Sequence, residues 1–330
     1  MTRTGDRVPV FPLSIWQRVH LGIDENGDLV SVDLAERNIL LGGEPGAGKS
    51  NGVNLITAHG ALSGDCELVL IDGKQVELGP WRHCAEKFIG PSITDAIACG
   101  KWLQAIMNQR YDLLLAAGLR KITPESGQPV YLVVIDEYAY FSATVGDKKQ
   151  QGEFGALIRD LVARGRAAGV IVVLATQRPS FQIIDPSLRD LFGYRWAFRC
   201  TTGASSDVVL GHGWATRGYS AATIDPLARG VSWLLAEDGT PQRIKAAYLT
   251  DREIAELARP PTPRPSPPPP APAARPWYSG SGRRPTPGPS ATTAGTCPAP
   301  AANSPRRPWG TTSPSTPPRP WRPPACPTGR

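Results

Sequence analysis

The chain has 330 residues with 36 Lys+Arg against 29 Asp+Glu, a net charge of +7. That surplus is confined to residues 260–330, which carry 24 of the 35 prolines, nine arginines and no Lys, Asp or Glu, so the preceding 259 residues hold 27 basic and 29 acidic groups. A body at −2 excludes any argument that overall charge wraps it in nucleic acid; a DNA contact has to rest on placed residues.

A body of this size accommodates one large α/β domain with a proper core. No stretch reaches the roughly 18 continuous apolar residues of a membrane span, and the start carries no apolar block of signal-peptide type. The six cysteines (Cys66, Cys84, Cys99, Cys200, Cys297, Cys326) show no CxxC spacing and no nearby His grouping. Neither a zinc site nor a disulfide framework is signalled, and reduced thiols in a cytoplasmic protein are expected.

In chain order, two apolar alternations flank the turn-rich Asp24-Glu25-Asn26-Gly27-Asp28 and predict a β-hairpin within residues 1–37. A strand at 38–41 follows. Strand-like runs at 67–71, 131–135 and 170–174 then alternate with helical stretches near 50–62, 94–117 and 152–168. Short buried strands alternating with helices imply a largely parallel sheet covered on both faces. Strands at 231–235 and 243–248 and a helix at 251–258 close a domain spanning 38–259. The segment 260–330 cannot bury enough apolar surface to offset its ordering entropy, and runs such as residues 267–270 favour polyproline II, so a disordered tail is expected.

Gly43-Glu44-Pro45-Gly46-Ala47-Gly48-Lys49-Ser50 fits G-x-x-x-x-G-K-[ST] between an apolar strand and a helical run. In that context backbone N–H groups curl around the phosphates of a nucleotide such as ATP. Lys49 reaches the β/γ oxygens and Ser50 ligates Mg²⁺. The run from Val130 to Ile135 delivers Asp136 and Glu137 at a strand's C-terminal end, the edge where open α/β sheets bind ligands. Asp136 suits the Mg²⁺ shell and Glu137 the polarisation of the attacking water, though such a pair also occurs as a plain solvated turn. Gln177, after the strand at 170–174, is placed to sense the γ-phosphate or position water; its alternative is a turn amide.

The segment from Ala167-Ala168-Gly169 to Leu174-Ala175-Thr176-Gln177-Arg178-Pro179-Ser180 resembles the FtsK/SpoIIIE DNA translocase motor. Ile71-Asp72-Gly73-Lys74-Gln75-Val76-Glu77-Leu78, Arg110-Tyr111 and Gly118-Leu119-Arg120-Lys121-Ile122 extend the resemblance, which runs from about Leu29 to Leu257. It implies a RecA-like P-loop NTPase core that forms hexameric rings around double-stranded DNA, with ATP between neighbouring subunits. It also implies an arginine donated in trans. By motif position that is Arg166, with Arg164 as competitor and a helix-terminal role as the plain alternative. Arg178, Arg189 and Arg195 align with, or lie beside, DNA-facing basic positions, whereas two other basic positions of the family fall on Gly203 and Asp207; Lys148 and Lys149 are substitutes.

Cell-division members carry membrane spans ahead of the motor and a winged helix behind it, and neither is visible here. The layout resembles the plasmid-transfer (Tra) branch. The resulting expectation is a DNA translocase in conjugative transfer of a plasmid or integrated element, recruited to the inner face of the membrane by membrane-anchored transfer proteins. A protein-secretion motor, a chromosome-segregation motor and a nucleotide-binding scaffold are the alternatives. The tail reads equally as a partner-binding arm, a basic brush or out-of-frame translation of GC-rich DNA.

Overall fold

The computed structural model describes residues 13–236 and 239–259. The expectations for the tail and for the first twelve residues lie outside these. Ten strands form one sheet: β1 (Val19–Asp24), β2 (Leu29–Val32), β3 (Ile39–Gly42), β4 (Cys66–Ile71), β5 (Ala85–Ile89), β6 (Val130–Ile135), β7 (Val170–Thr176), β8 (Tyr194–Phe198), β9 (Val231–Ala236) and β10 (Gln242–Ala246). Their spatial order is β2-β1-β10-β9-β8-β3-β7-β6-β4-β5. From β8 to β5 every pairing is parallel, and from β8 to β2 every pairing is antiparallel.

The parallel half follows from its residues. β7 is seven consecutive buried residues, Val-Ile-Val-Val-Leu-Ala-Thr, and β6 is nearly as apolar. Strands of that kind cannot show one face to water, so both faces need cover. Alternate side chains point to opposite sides: Leu40, Val133, Ile135, Val172 and Leu174 enter one core, and Ile39, Leu41, Leu132, Val134, Ile171 and Val173 enter the other. The first core is closed by α2 (Ile93–Ala117) and α3 (Lys148–Arg164), the second by α1 (Lys49–Leu62).

Caps set the helix bounds. Ser92 accepts from the Asp95 N–H at the start of α2, and Gly118 at φ 65° ends it. Asp147 and Gln150 form a reciprocal capping box at the start of α3. The helix expected at 152–168 therefore begins earlier, and its last four residues tighten into a 3₁₀ turn, Gly165–Ala168. Asn38, buried just before β3, pins the register: its Nδ2 donates to the Val162 carbonyl and its Oδ1 accepts from the Val172 N–H, both at 2.8 Å.

The predicted strands near 39, 67, 131 and 170 are present, as is the N-terminal hairpin, which joins the same sheet through β1 and β10. Two strands were not anticipated. β5 carries Glu86 and Lys87 at an edge, and β8 carries Arg195 as its second residue. β8 is the hinge of the architecture, parallel to β3 on one side and antiparallel to β9 on the other. The short helices α4 (Pro186–Arg189), α5 (Gly203–Leu210) and α6 (Asp251–Leu257) complete the described fold. Among the described residues no helix is long and apolar enough to cross a membrane.

Candidate nucleotide site

The loop of residues 43–48 leaves β3 and enters α1 at Lys49, with its backbone turned by Gly46 at φ 77° and Gly48 at φ 110°. Gly48 is required twice over. Its φ lies in the left-handed region, and a Cβ there would stand 2.8 Å from the Gly230 Cα. The loop is also tied to the antiparallel half, because the Gly230 N–H donates to the Ala47 carbonyl at 2.9 Å.

β3, β6 and β7 run parallel in register, so their C-terminal ends come out together. That brings Lys49, Asp136, Glu137 and Gln177 to one edge. Lys49 Nζ donates to Asp136 Oδ1 at 3.0 Å and to the Asp136 carbonyl at 3.2 Å, with both side chains buried. The other carboxylate oxygen, Asp136 Oδ2, is buried with no hydrogen-bond partner among the described residues. A buried carboxylate oxygen with an unused lone pair is costly unless something positive or donating meets it. Together with the Ser50 hydroxyl at the first turn of α1, this donor set fits a hard cation such as Mg²⁺.

Glu137 is held from the neighbouring strand. Its Oε1 accepts from Thr176 Oγ1 and its Oε2 from the Gln177 N–H, both at 2.8 Å. A carboxylate oriented by two donors on β7 has a fixed direction, which a general base needs. Thr176 was not singled out in the sequence, although its place as the last residue of a buried strand beside Gln177 was the available signal.

The loop opens onto a cleft of about 440 Å³. One wall holds Glu44, Lys49, Ser50 and Gln177, as the sequence implied. The rest of the lining was missed: Arg229 and Gly230 before β9, then Lys245, Ala246, Tyr248 and Leu249 at the end of β10 and beyond. Asn51 fastens the last of these to α1, donating to the Ala247 carbonyl and accepting from the Leu249 N–H at 2.9 Å. No motif marks these residues, since they approach the loop only through the antiparallel pairing of β10 and β9. A smaller cleft of about 260 Å³ lies beside the first, lined by Arg178, Pro179, Ser180, Cys200 and Thr201 among others. Burial, reinforced by the nearby Glu44 charge, pushes the Cys200 thiol up to about 12, so it stays protonated.

The arginines divide sharply. Arg178 is exposed on the loop after β7. Arg189 is buried, its Nε donating to Asp190 at 2.8 Å and its Nη1 to the Asp207 carbonyl at 3.3 Å. Arg195 donates to the Phe192 and Leu210 carbonyls at 3.3 and 3.0 Å, and burial holds its guanidinium below the ordinary range. Each uses its Nε and Nη1 inside the fold, fastening the α4–β8 connection to α5, which counts against the expectation that they grip DNA. Asp207 is likewise internal, its carboxylate accepting from the Gly213 and Ala215 N–H groups at 2.9 and 2.8 Å. Lys148 and Lys149 are exposed at the start of α3.

Arg166 is exposed on the turn just before β7. Seven residues of strand separate it from the end that meets the phosphate loop, on the order of 20 Å, so it cannot serve its own site. Arg164 is engaged on its own helix, where its Nε and Nη2 both donate to Asp160.

Residues 16–130 match the FtsK/SpoIIIE family, a span that ends ahead of Asp136. The DNA translocase FtsK of Corynebacterium efficiens is 31% identical over 264 residues, covering 72% of this chain and 26% of that protein. Its namesake in Vibrio parahaemolyticus is 30% identical over 236 residues, covering 60% and 22%. The chain thus spans about a quarter of the length of these relatives. Among solved structures, the pCW3 conjugation coupling protein TcpA in its monomer form with ATPγS shares the fold at a TM-score of 0.60 and 21% identity, over 73% of this chain and 70% of that one. The cytoplasmic domain of the Thermomonospora curvata type VII secretion ATPase EccC does so at 0.59 and 21%, over 76% and 32%. A phosphate loop, an acidic strand end and a polar β7 terminus thus meet at one sheet edge, on the fold of a P-loop ATPase motor whose residues 16–130 match the FtsK/SpoIIIE family.

Proposed function

We propose that the chain is the motor of an ATP-driven double-stranded DNA translocase, working as a ring of copies, six by analogy with the family, in conjugative transfer of a plasmid or integrated element. The observation that carries the ATPase reading is Glu137, fixed by Thr176 and Gln177 beside the buried Lys49–Asp136 pair. The reading for DNA is supported by the similarity to proteins named DNA translocase FtsK, and the conjugative role by the fold shared with a conjugation coupling protein.

In this reading the N–H groups of the loop and Lys49 hold the β- and γ-phosphates of ATP, Lys49 leaving part of its contact with Asp136 to do so. Ser50 and the unpartnered Oδ2 of Asp136 are the groups to hold Mg²⁺, whose charge would neutralise the phosphate oxygens. Glu137 orients and deprotonates water, Gln177 registers the γ-phosphate, and Arg166 acts on the site of an adjacent copy. Arg178, with Lys148 and Lys149, is left to contact the DNA backbone without reading sequence. The motor would work in the cytoplasm, brought to the inner face of the membrane by transfer proteins anchored there.

A protein-secretion motor is the second reading, favoured by the internal roles of Arg189, Arg195 and Asp207, which thin the basic surface available to DNA. Chromosome segregation would use the same biochemistry. Steady-state ATP hydrolysis by the purified full chain, with and without long duplex DNA at two salt concentrations, separates the first two. Salt-sensitive stimulation that grows with DNA length is expected. Activity indifferent to DNA would move the assignment to secretion.

A further inference from the structure

Within the phosphate loop one residue runs against the chemistry of its surroundings. Glu44 places a carboxylate in a segment whose backbone N–H groups and lysine gather anions, and a carboxylate there repels the ligand that the loop collects. The fold answers with Arg199, the residue after β8. Its Nη1 lies 2.6 Å from Glu44 Oε2, with both side chains about three-quarters buried. The Glu44 N–H also donates to the Arg199 carbonyl at 2.9 Å, so backbone and side chain hold the same two residues together.

The position of Glu44 within the site is set by the two clefts; Arg199 stands behind it and lines neither. Glu44 and Gln177 are the two residues that line both, and they stand on the partition between the nucleotide cleft and the smaller one beside Cys200. Gln177 follows β7 next to the Thr176–Glu137 contact, where water would meet the terminal phosphate. Glu44 therefore stands with Gln177 at the terminal-phosphate end of the cleft.

We propose that Arg199 is a positioning residue for the triphosphate, held in place by Glu44, and that this pair sets the preference of the site for ATP over ADP. The inference rests on the nucleotide-site reading above. Arg199 acts through Glu44, cancelling the carboxylate charge that would otherwise face the phosphates. A third phosphate brings more negative charge to that end, so the pair is felt more by ATP than by ADP. Loss of Glu44 alone frees a cation, and loss of Arg199 alone exposes an anion. The two substitutions act in opposite directions, which a mere staple between loop and strand could not produce.

The test is equilibrium binding of ATP and of ADP, each with Mg²⁺, to the purified full chain and its variants, with thermal unfolding run in parallel. Arg199→Gln should weaken ATP by about tenfold and ADP by less than about threefold. Glu44→Gln should tighten ATP, the double variant should return close to the parent ratio, and Arg199→Lys should keep most of the preference. Glu44→Gln and Arg199→Gln weakening both nucleotides alike would reduce the pair to a staple and overturn the proposal. If Arg199→Gln unfolds, the opposite-sign response of Glu44→Gln and the retained preference of Arg199→Lys still decide it. A parent chain that binds neither nucleotide would sink the site reading itself, whereas a parent that binds ATP in a Lys49-dependent way with no ratio change in the variants would sink this inference alone.

Discussion

In the parallel half of the sheet, β3, β6 and β7 end side by side and deliver the phosphate loop, Asp136, Glu137 and Gln177 to one edge. In the antiparallel half, β9 and β10 deliver no phosphate loop and no carboxylate pair like Asp136 and Glu137, yet their ends supply Arg229, Lys245, Tyr248 and Leu249 to the same cleft. The contrast has a geometric origin. Parallel strands collect like ends on one edge, so groups distant in sequence converge there, while an antiparallel pair alternates its ends and contributes single residues. The parallel half should therefore govern turnover and the hold on the phosphates, and the antiparallel half should add only to the hold on the rest of the nucleotide.

The largest break in that division comes from Arg166, which sits at the wrong end of β7 for its own site. Arg166→Ala should lower DNA-stimulated turnover by about 10⁴-fold in assembled protein, within the range known for arginine fingers, and leave ATP binding near the parent value. Mixing the variant with Lys49→Ala chains checks the trans arrangement: recovered hydrolysis supports it, and hydrolysis by Arg166→Ala alone at ring-forming concentration removes Arg166 from the mechanism. Next in size is Glu137→Gln. It should keep both contacts in weaker form and bind ATP, with kcat down about 10³-fold, the scale of a lost general base. A comparable rise in KM with kcat intact would make Glu137 a binding group.

Asn38 tests the scaffold rather than the chemistry. Its amide bridges the Val162 carbonyl and the Val172 N–H inside the protein, so Asn38→Ala leaves a donor and an acceptor buried and unmet. A loss of ~3 kcal/mol in unfolding free energy is expected by denaturant titration. Ser232, which accepts from Trp196 Nε1 at 2.7 Å across the β8–β9 seam, is the matching probe where the halves join. Ser232→Ala should cost ~1.5 kcal/mol. A larger loss there than at Asn38 would mean that the seam, not the parallel core, limits stability.

Much of the parallel half is visible in the residues themselves. Fully apolar runs such as residues 170–175 have no alternative to a doubly covered strand, and the glycines before Lys49 need the backbone freedom that a phosphate cradle demands. β8 escaped because Arg195 interrupts its apolar pattern, and only the fold shows that its guanidinium turns onto the Phe192 and Leu210 carbonyls. The same blindness covers Arg189 and Arg195: a charged residue at a family-like position looks wholly available until its internal contacts are counted. The rest of the cleft lining was illegible for another reason. Tyr248 and Lys245 acquire their place from strand pairing some two hundred residues from the loop, and local pattern carries no trace of it.

Tyr248 gives the smallest and sharpest test of the division between halves. Its side chain is 74% exposed and walls the cleft beside Ala246 and Leu249. An aromatic face there can stack on a base, and such a contact contributes binding that ground state and transition state share. Tyr248→Ala should raise KM for ATP by about fivefold with kcat unchanged, because uniform binding is what is lost. Stacking does not read hydrogen-bond edges, so GTP should suffer to the same degree as ATP. Tyr248→Phe should restore the parent value, since the ring rather than the hydroxyl is at work. If kcat falls with KM constant, the antiparallel half takes part in turnover, and the separation of roles along the sheet fails at the place where it should be cleanest.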